Sequence, residues 1–193
     1  MQAGILEADR DLFLLVNGWH SAFWDPVMVF FSGKLTWIPF YLLLLFILYR
    51  KKGKELWIFL LFIVLTVLLT DQTSVHLFKN IFHRLRPCHE PALEGLVYTV
   101  GGKCGGAYGF ISSHAANSFG IVALLSLFYR RWWWTLLLVF WALLVSYSRI
   151  YLGVHYPGDV LAGAVWGVLC GWGVWVFYGW IKKKIPDVKK SSV

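Results

Sequence analysis

The sequence predicts an all-α integral membrane protein, a helical bundle with five transmembrane helices plus an N-terminal amphipathic interfacial helix. Its 193 residues are 59% hydrophobic and 19% aromatic, with 12 Trp, and only 15% are charged, whereas about a quarter of the residues are charged in a typical soluble domain. The apolar residues form long runs, several of them close to the ~20 residues that cross a hydrocarbon core. The formal net charge of +8 does not indicate nucleic-acid binding, because the basic residues cluster at the ends of these runs and act there as topology signals.

The whole chain, residues 1–193, is predicted to be a single membrane-embedded domain. Residues 1–24 hold the interfacial helix, because charged and apolar groups alternate over residues 5–19 and the apolar part is too short to span a bilayer. This segment is not a signal peptide, since Glu7 and Asp9 interrupt any apolar core there.

The core of the domain, residues 25–181, contains the five predicted spans. They lie at about 34–49, 56–79, 111–129, 132–148 and 159–181. The first span has an alternative start near Val27, with a break around Gly33-Lys34. The polar, glycine-rich residues 84–110 form a long loop between the second and third spans.

The distribution of basic residues predicts the orientation of these spans. Eleven of the 18 Lys and Arg residues lie at one set of span ends, in residues 50–54, residues 130–131 and the basic tail 182–193. The positive-inside rule assigns that face to the cytoplasm. The N-terminus and the loop 84–110 then face the periplasm, which makes the chain a multi-pass protein of the bacterial inner membrane.

Two of the three cysteines, Cys88 and Cys104, lie in the predicted periplasmic loop. An oxidising compartment allows them to pair. The alternatives are free thiols and a zinc site completed by His89, and the spacing disfavours zinc because two cysteines at this distance do not make a metal knuckle.

A first polar cluster ends the second span. Lys79, His83 and Arg86 have the i, i+4, i+7 spacing of one helical face, and Pro87 ends the helix. The cluster is a candidate anion site, and a snorkelling basic patch is the alternative.

A second cluster, Ser112, Ser113 and His114, opens the third span. Serines at a helix start cap it, and the free backbone N–H groups there make an anion site. Taken alone, this pattern is more typical of a capped helix with an interfacial histidine.

A third cluster, Arg149, His155 and Asp159, lies between the last two spans. Arg149 has no acidic neighbour, so it is free to bind an anion. Asp159 follows His155 by four residues and can orient its ring, which leaves one ring nitrogen available for attack or proton transfer. The three clusters predict a shared anionic substrate, because polar groups at one membrane depth are costly and typically functional.

These clusters resemble the motifs of the type 2 phosphatidic acid phosphatase superfamily. The motifs read Lys79-x6-Arg86-Pro87, Ser112-x-His114 and Ser148-Arg149-x5-His155-x3-Asp159. The second usually reads Pro-Ser-Gly-His, where this chain has Ile111-Ser112-Ser113-His114. The resemblance covers about residues 25–181, in the shorter five-span form of the family.

The resemblance implies a phosphohistidine mechanism. His155 is the expected nucleophile, Asp159 holds its ring, and His114 is the expected general acid and base. The expected phosphate-binding residues are Lys79, Arg86, Arg149, Ser112 and Ser113. No carboxylate cluster suited to Mg²⁺ appears in the sequence, so catalysis without metal or cofactor is expected.

The expected substrate is a lipid phosphate or pyrophosphate that reaches the site from the bilayer. Undecaprenyl diphosphate is the first choice, with lipid A phosphatase and phosphatidylglycerophosphate phosphatase activities as alternatives. His83 is a candidate for a headgroup contact, while Arg84 and Lys103 are either ligands of a second phosphate or solvated surface. A non-catalytic membrane protein that binds lipid headgroups is the alternative of another class.

Overall fold

The computed structural model describes residues 2–33, 35–52 and 56–184, and its regular structure is helical. Seven helices are labelled here in chain order: α1 (Gln2–Asn17), α2 (Trp24–Ser32), α3 (Ile38–Lys52), α4 (Leu56–Thr73), α5 (Ser113–Tyr129), α6 (Trp132–Tyr151) and α7 (Pro157–Lys184). A π-helical segment, Ser74–Lys79, and a last turn, Asn80–Phe82, continue α4. The prediction of an all-α bundle is confirmed.

Three of the described helices are long and apolar enough to cross a membrane: Trp57–Phe82, Trp132–Tyr151 and Pro157–Lys184. A fourth candidate is the pair Trp24–Ser32 and Leu35–Ile47, which bends by 79° at its break. The predicted break around Gly33-Lys34 falls at this bend, although Lys34 itself lies outside the described residues. Helix α5 has 17 residues and is shorter than these candidates.

Helix α4 runs antiparallel to α5 and α7, which run parallel to each other, so the helix ends form two groups. The start of α4 meets the ends of α5 and α7, where the ring centroids of Phe59 and Phe128 are 4.5 Å apart and those of Phe128 and Tyr178 are 4.9 Å apart. We call this the basic end, because Arg130, Arg131 and Lys182–Lys184 follow directly. Residues 53–55 and most of the predicted basic tail, residues 185–193, lie outside the described residues.

Glycines on α7 set the central helix contact of the bundle. Gly163, Gly167 and Gly171 repeat every four residues and face α5, where a Cβ on Gly167 would collide with the carbonyl group of Ala116. Small residues at this spacing let two helix backbones approach closely in a membrane. Asp159 lies one turn before Gly163 on the same face, and the Ser112 backbone N–H donates to the Asp159 carbonyl at 3.0 Å. The close contact therefore places the starts of α5 and α7 side by side.

Helix α1 is amphipathic and packs against the end of the bundle opposite the basic end. Phe13 is fully buried and packs with Leu93 and Tyr156. The Asn17 amide donates to the Tyr151 carbonyl at 2.8 Å and accepts from the Tyr98 backbone N–H at 2.8 Å. Other apolar side chains of this helix are exposed: Ile5, Leu6, Leu12 and Leu15.

The outer surface of the bundle is also apolar. Large hydrophobic side chains on α4 and α7 are exposed, including Trp57, Leu61, Leu161 and Trp172. An apolar surface of this extent is favourable in lipid and not in water. The chain is an integral, multi-pass membrane protein.

Candidate active site

The predicted histidine–aspartate pair lies at the turn between α6 and α7. His155 Nδ1 is 3.5 Å from Asp159 Oδ2, and both side chains are almost completely buried. Gly153 allows the turn, because its φ of 74° is left-handed and a Cβ there would press on the Tyr98 carbonyl. The short connection thus brings His155 directly over the first turn of α7.

The Asp159 side chain accepts two further hydrogen bonds. At the third position of α7, its Oδ2 accepts from the backbone N–H of Tyr156 at 3.0 Å, the return contact of a helix N-terminal capping box. Its Oδ1 accepts from Arg84 Nη1 at 2.8 Å. The Cβ position of Gly109 is 3.2 Å from Oδ2, so a larger residue there would press on the carboxylate. The distance of 3.5 Å and the absence of a well-aligned hydrogen bond at His155 Nδ1 show that Asp159 faces the ring without a tight bond to it.

Three cations surround His155 from three different elements: Lys79 on the π-helical segment, Arg86 at the start of the loop and Arg149 in the last turn of α6. Lys79 Nζ donates to Ser113 Oγ at 2.7 Å. Arg86 Nη1 donates to the Cys104 carbonyl at 3.2 Å, and Arg149 Nη1 donates to Ser32 Oγ. None of the three has a carboxylate partner within salt-bridge distance among the described residues. Their charge is therefore available to an anionic ligand.

The charges around His155 change its protonation. Burial, followed by the positive charge of Arg149, holds the pKa of His155 well below its usual range, and Arg86 and Lys79 act in the same direction. A backbone hydrogen bond at Gly109 opposes them. The ring is therefore neutral at neutral pH, which is the form with a free nitrogen lone pair.

The second motif caps α5 beside this pair. Ser112 is the N-cap residue, and its side chain accepts weakly from the Ala115 N–H at 3.5 Å. Ser113 takes the position that is usually Gly in the motif, and its hydroxyl also lies 2.6 Å from Ser74 Oγ. The serine therefore ties the start of α5 to the π-helical segment that carries Lys79.

Two cavities adjoin the site. One, of about 400 Å³, is lined by Arg86, Arg149 and Lys103, so it presents positive charge. The other, of about 390 Å³, is lined by His114 and Asp71 together with apolar side chains of α3, α5 and α6. Ser32 and Gly33 line both, so a polar compartment and a mainly apolar one meet at the end of α2.

The helical-face interpretation of the first motif is wrong for His83 and Arg86. The helix ends at Phe82, since His83 adopts a left-handed conformation with φ of 47°. Arg86 instead reaches the site from the loop, where its backbone N–H donates to the Ala107 carbonyl at 3.0 Å. His83 is exposed and packs edge-on against Tyr108, with ring centroids 4.8 Å apart.

Arg84 has a structural position rather than a phosphate-binding one. It bridges Asp9 of α1 and Asp159, at 2.7 and 2.8 Å, and its guanidinium lies 4.1 Å from the centre of the Tyr156 ring. Sequence reasoning missed Asp9 as part of the site. A signal was present, because Asp9, Phe13 and Asn17 are spaced by four and form the buried side of an otherwise amphipathic helix.

Cys88 and Cys104 are joined in the structure, with Cα atoms 6.0 Å apart. With His89 they also form the one compact group of candidate metal ligands among the described residues, with donor atoms within 4.8 Å of one another. Sulfurs that are bonded to each other offer no thiolate, so this geometry favours the disulfide over the zinc alternative.

A neutral buried histidine that faces a carboxylate can attack phosphorus. The three cations beside it, which have no carboxylate partner among the described residues, can neutralise a phosphoryl group. Together with the apolar bundle, this arrangement defines a membrane-embedded phosphatase. Residues 55–183, which include all three motifs, match the family model described as the PAP2 superfamily. The chain belongs to this superfamily and is a membrane lipid phosphatase.

Similar proteins support the same family. The chain is 42% identical over 174 residues to a lipid A 4'-phosphatase of Bacteroides thetaiotaomicron, which covers 89% of this chain and 76% of the relative. It is 38% identical to a lipid A 4'-phosphatase of Porphyromonas gingivalis, over 90% of this chain and 74% of the relative. An undecaprenyl-diphosphatase of Sulfolobus acidocaldarius is 34% identical, over 81% and 72%. The crystal structure of Aquifex aeolicus LpxE superposes with a TM-score of 0.60 at 26% identity, covering 85% of this chain and 92% of that one.

Proposed function

We propose that this chain removes the 4'-phosphate of a lipid A-type glycolipid through a phosphohistidine intermediate. The observation that carries the proposal is the similarity, over about nine-tenths of the chain, to two lipid A 4'-phosphatases at 42% and 38% identity. It favours lipid A over undecaprenyl diphosphate, which was the first choice from the family resemblance. Undecaprenyl diphosphate is the second candidate, supported by the relative at 34% identity.

The proposed reaction has two steps. His155 attacks through Nε2, because Nδ1 faces Asp159; a phosphorus–nitrogen bond forms while the bond from phosphorus to the lipid oxygen breaks. His114 gives its proton to that oxygen. In the second step His114 takes a proton from water, and the water oxygen attacks phosphorus. The phosphorus–nitrogen bond breaks, which releases inorganic phosphate and restores His155. Asp159 stabilises the positive charge of the phosphorylated ring.

Lys79, Arg86 and Arg149, with Ser112 and Ser113 at the start of α5, bind the phosphoryl oxygens. They stabilise the charge that a metal ion stabilises in many other phosphatases. Activity should accordingly survive EDTA. Loss of turnover in EDTA that Mg²⁺ restores would contradict the metal-independent mechanism.

The substrate enters from the bilayer. The mainly apolar cavity, which His114 and Tyr41 of α3 line, accommodates part of an acyl chain, while the sugar phosphate lies in the positive cavity at Arg86 and Arg149. His83 is exposed beside Tyr108 and remains a candidate for a headgroup contact.

The proposal also includes the topology of the chain, with five membrane spans and an active site that faces the periplasm. The bent pair α2–α3 and helices α4 to α7 each cross the membrane, with α5 short because α4, α6 and α7 surround it. Helix α1 lies in the interface with its exposed apolar side chains towards lipid. The basic end faces the cytoplasm of a bacterial inner membrane, so the site, at the opposite end, faces the periplasm.

The test is a phosphate-release assay with lipid A, undecaprenyl diphosphate and phosphatidylglycerophosphate side by side. Wild type should act fastest on lipid A and leave the other phosphate of that lipid in place, as mass spectrometry of the product would show. His155→Ala should abolish release, whereas His76→Ala, at an exposed histidine of the π-helical segment, should not. Faster release from undecaprenyl diphosphate would favour the second candidate. Equal inertness of wild type and His155→Ala on all three lipids would favour the headgroup-binding alternative.

A further inference from the structure

The N-terminal helix contributes a partly buried carboxylate to the active-site end of the bundle. The Asp9 side chain is 13% exposed and makes two contacts outside its own helix. Its Oδ2 accepts from Arg84 Nη2 at 2.7 Å, and its Oδ1 accepts from the backbone N–H of Gly158 at 2.7 Å. A Cβ on Gly158 would press on this carboxylate, so the glycine permits the approach. Asp9 thus contacts the first turn of α7, one residue before Asp159.

Arg84 connects the two carboxylates. One arm of its guanidinium donates to Asp9 and the other to Asp159 Oδ1, while the Tyr156 ring supports its face. A planar guanidinium with two fixed arms suits such a bridge, and a lysine does not. The remaining oxygen of Asp159 is the one that faces His155.

Charge balance explains why the bridge needs Asp9. Arg84 shared between two carboxylates leaves the group with one net negative charge beside His155. Without Asp9, Arg84 would pair with Asp159 alone and would cancel the negative charge of Asp159. Its guanidinium would also be free to rotate about this single contact. Among the described residues, the charged side chains that act most strongly on His155 are Lys79, Arg86 and Arg149, and all three are positive. Asp159, which faces the ring, supplies the negative charge that favours its cationic form.

We propose that Asp9 is a positioning residue, which through Arg84 holds Asp159 in place and keeps it negative towards His155. The inference rests on the proposed role of His155 and Asp159 in catalysis. It gives helix α1 a part in the reaction, in addition to its contact with the membrane interface.

The test compares Asp9→Asn with Asp11→Asn. Both remove one negative charge from the same helix, but Asp11 is exposed. Because Asp9 does not touch the substrate, Asp9→Asn should lower kcat roughly tenfold, the lower end of the effect of a lost charge-assisted hydrogen bond. KM should stay within about twofold. The control variant Asp11→Asn should have the kcat and the KM of wild type. An Asp9→Asn enzyme with wild-type kcat would overturn the proposal.

A double-mutant cycle separates positioning from simple anchoring of α1. In an Arg84→Gln background Asp9 has no cation to act through, so Asp9→Asn should cause no further loss of kcat, or should restore part of it. If Asp9 only anchors α1 through Gly158, the loss from Asp9→Asn should be the same in both backgrounds, and the proposal fails. Size-exclusion chromatography in detergent selects folded protein for all variants.

The positioning role of Asp9 can also be tested by NMR spectroscopy, which does not require turnover. In protein with ¹⁵N-labelled histidine, the ring signals of His155, assigned by their loss in His155→Asn, should move in Asp9→Asn and not in Asp11→Asn. Unchanged signals in both variants would contradict the positioning role. If wild type is inert on every lipid phosphate but Asp9→Asn still moves the His155 signals, the result counts against the proposed function and not against the positioning role.

Discussion

The residue with the most constrained chemistry is His155, which lies in an almost fully buried position among three cations. Its low pKa, caused first by burial and then by Arg149, keeps the ring neutral in the folded protein. The unfolded chain takes up a proton near the ordinary histidine pKa of about 6.5. Protonation therefore favours unfolding, and its effect begins as the pH falls below that value.

The expected result is a loss of stability between pH 7 and pH 5. For one histidine the loss is at most about 1.4 kcal/mol per pH unit. Thermal unfolding in detergent should show a smaller decrease of Tm over this range for His155→Asn than for wild type, because the variant lacks the titrating ring. An equal decrease of Tm in both proteins would show that His155 does not contribute to the pH dependence of stability.

At the same scale, local spacing predicted the motif residues but not their partners. His155 and Asp159 are four residues apart, and Ser112 to His114 are contiguous, so these relations were readable along the chain. The Arg84 bridge joins Asp9 and Asp159, each 75 residues away from it, and no local pattern reports such a contact. Lys79 and Arg86 of the first motif both lie near His155, as the motif predicts. The π-helical segment and the left-handed His83, however, change how Arg86 reaches this position.

At the scale of elements, the contact between α5 and α7 sets the position of Asp159. Replacing Gly167 with Ala should destabilise the protein by about 1–3 kcal/mol, because the added methyl group meets the α5 backbone and not a flexible side chain. Activity should fall along with Tm, since Ser112 and Asp159 move apart. Gly173→Ala is the matched control: it lies on the same helix, and nothing lies within 4 Å of its Cβ position. Equal Tm values for the two variants would contradict this account of the helix contact.

The loop that carries Arg86 is a second element with a testable constraint. Its disulfide closes a segment with a sequence separation of 16 and, in the chain-entropy model, contributes roughly 3 kcal/mol. Cys104 also accepts from Arg86 through its carbonyl group. The double replacement Cys88→Ser and Cys104→Ser should therefore raise KM several-fold with a smaller change in kcat, because Arg86 is a proposed ligand of the phosphate.

Cys170→Ala is the control for these cysteine replacements, since Cys170 is buried in α7 away from the loop. Mass spectrometry of non-reduced peptides should show Cys88 linked to Cys104. Alkylation of both cysteines without reductant would contradict the disulfide.

At the scale of the whole molecule, the composition and the basic runs predicted a membrane bundle with all three motifs at one end. The number of spans was harder to predict. Apolar runs mark where a helix lies, but they do not say whether a short one such as α5 crosses the membrane or how strongly α2 and α3 bend. The 79° bend and the 17 residues of α5 depend on packing against other helices, which no single segment encodes.

Orientation is the property on which access to a periplasmic lipid depends, and it can be measured with single cysteines. In a background that lacks the three native cysteines, Gly106→Cys places a thiol in the exposed loop, where its Cβ position is unobstructed. Lys183→Cys places an exposed thiol at the basic end. A membrane-impermeant maleimide should label Gly106→Cys in intact spheroplasts and Lys183→Cys only after lysis, because the positive-inside rule assigns the basic end to the cytoplasm. Labelling of Lys183→Cys before lysis would place His155, at the opposite end of the bundle, on the cytoplasmic side, and the substrate would then have to be a lipid of the inner leaflet.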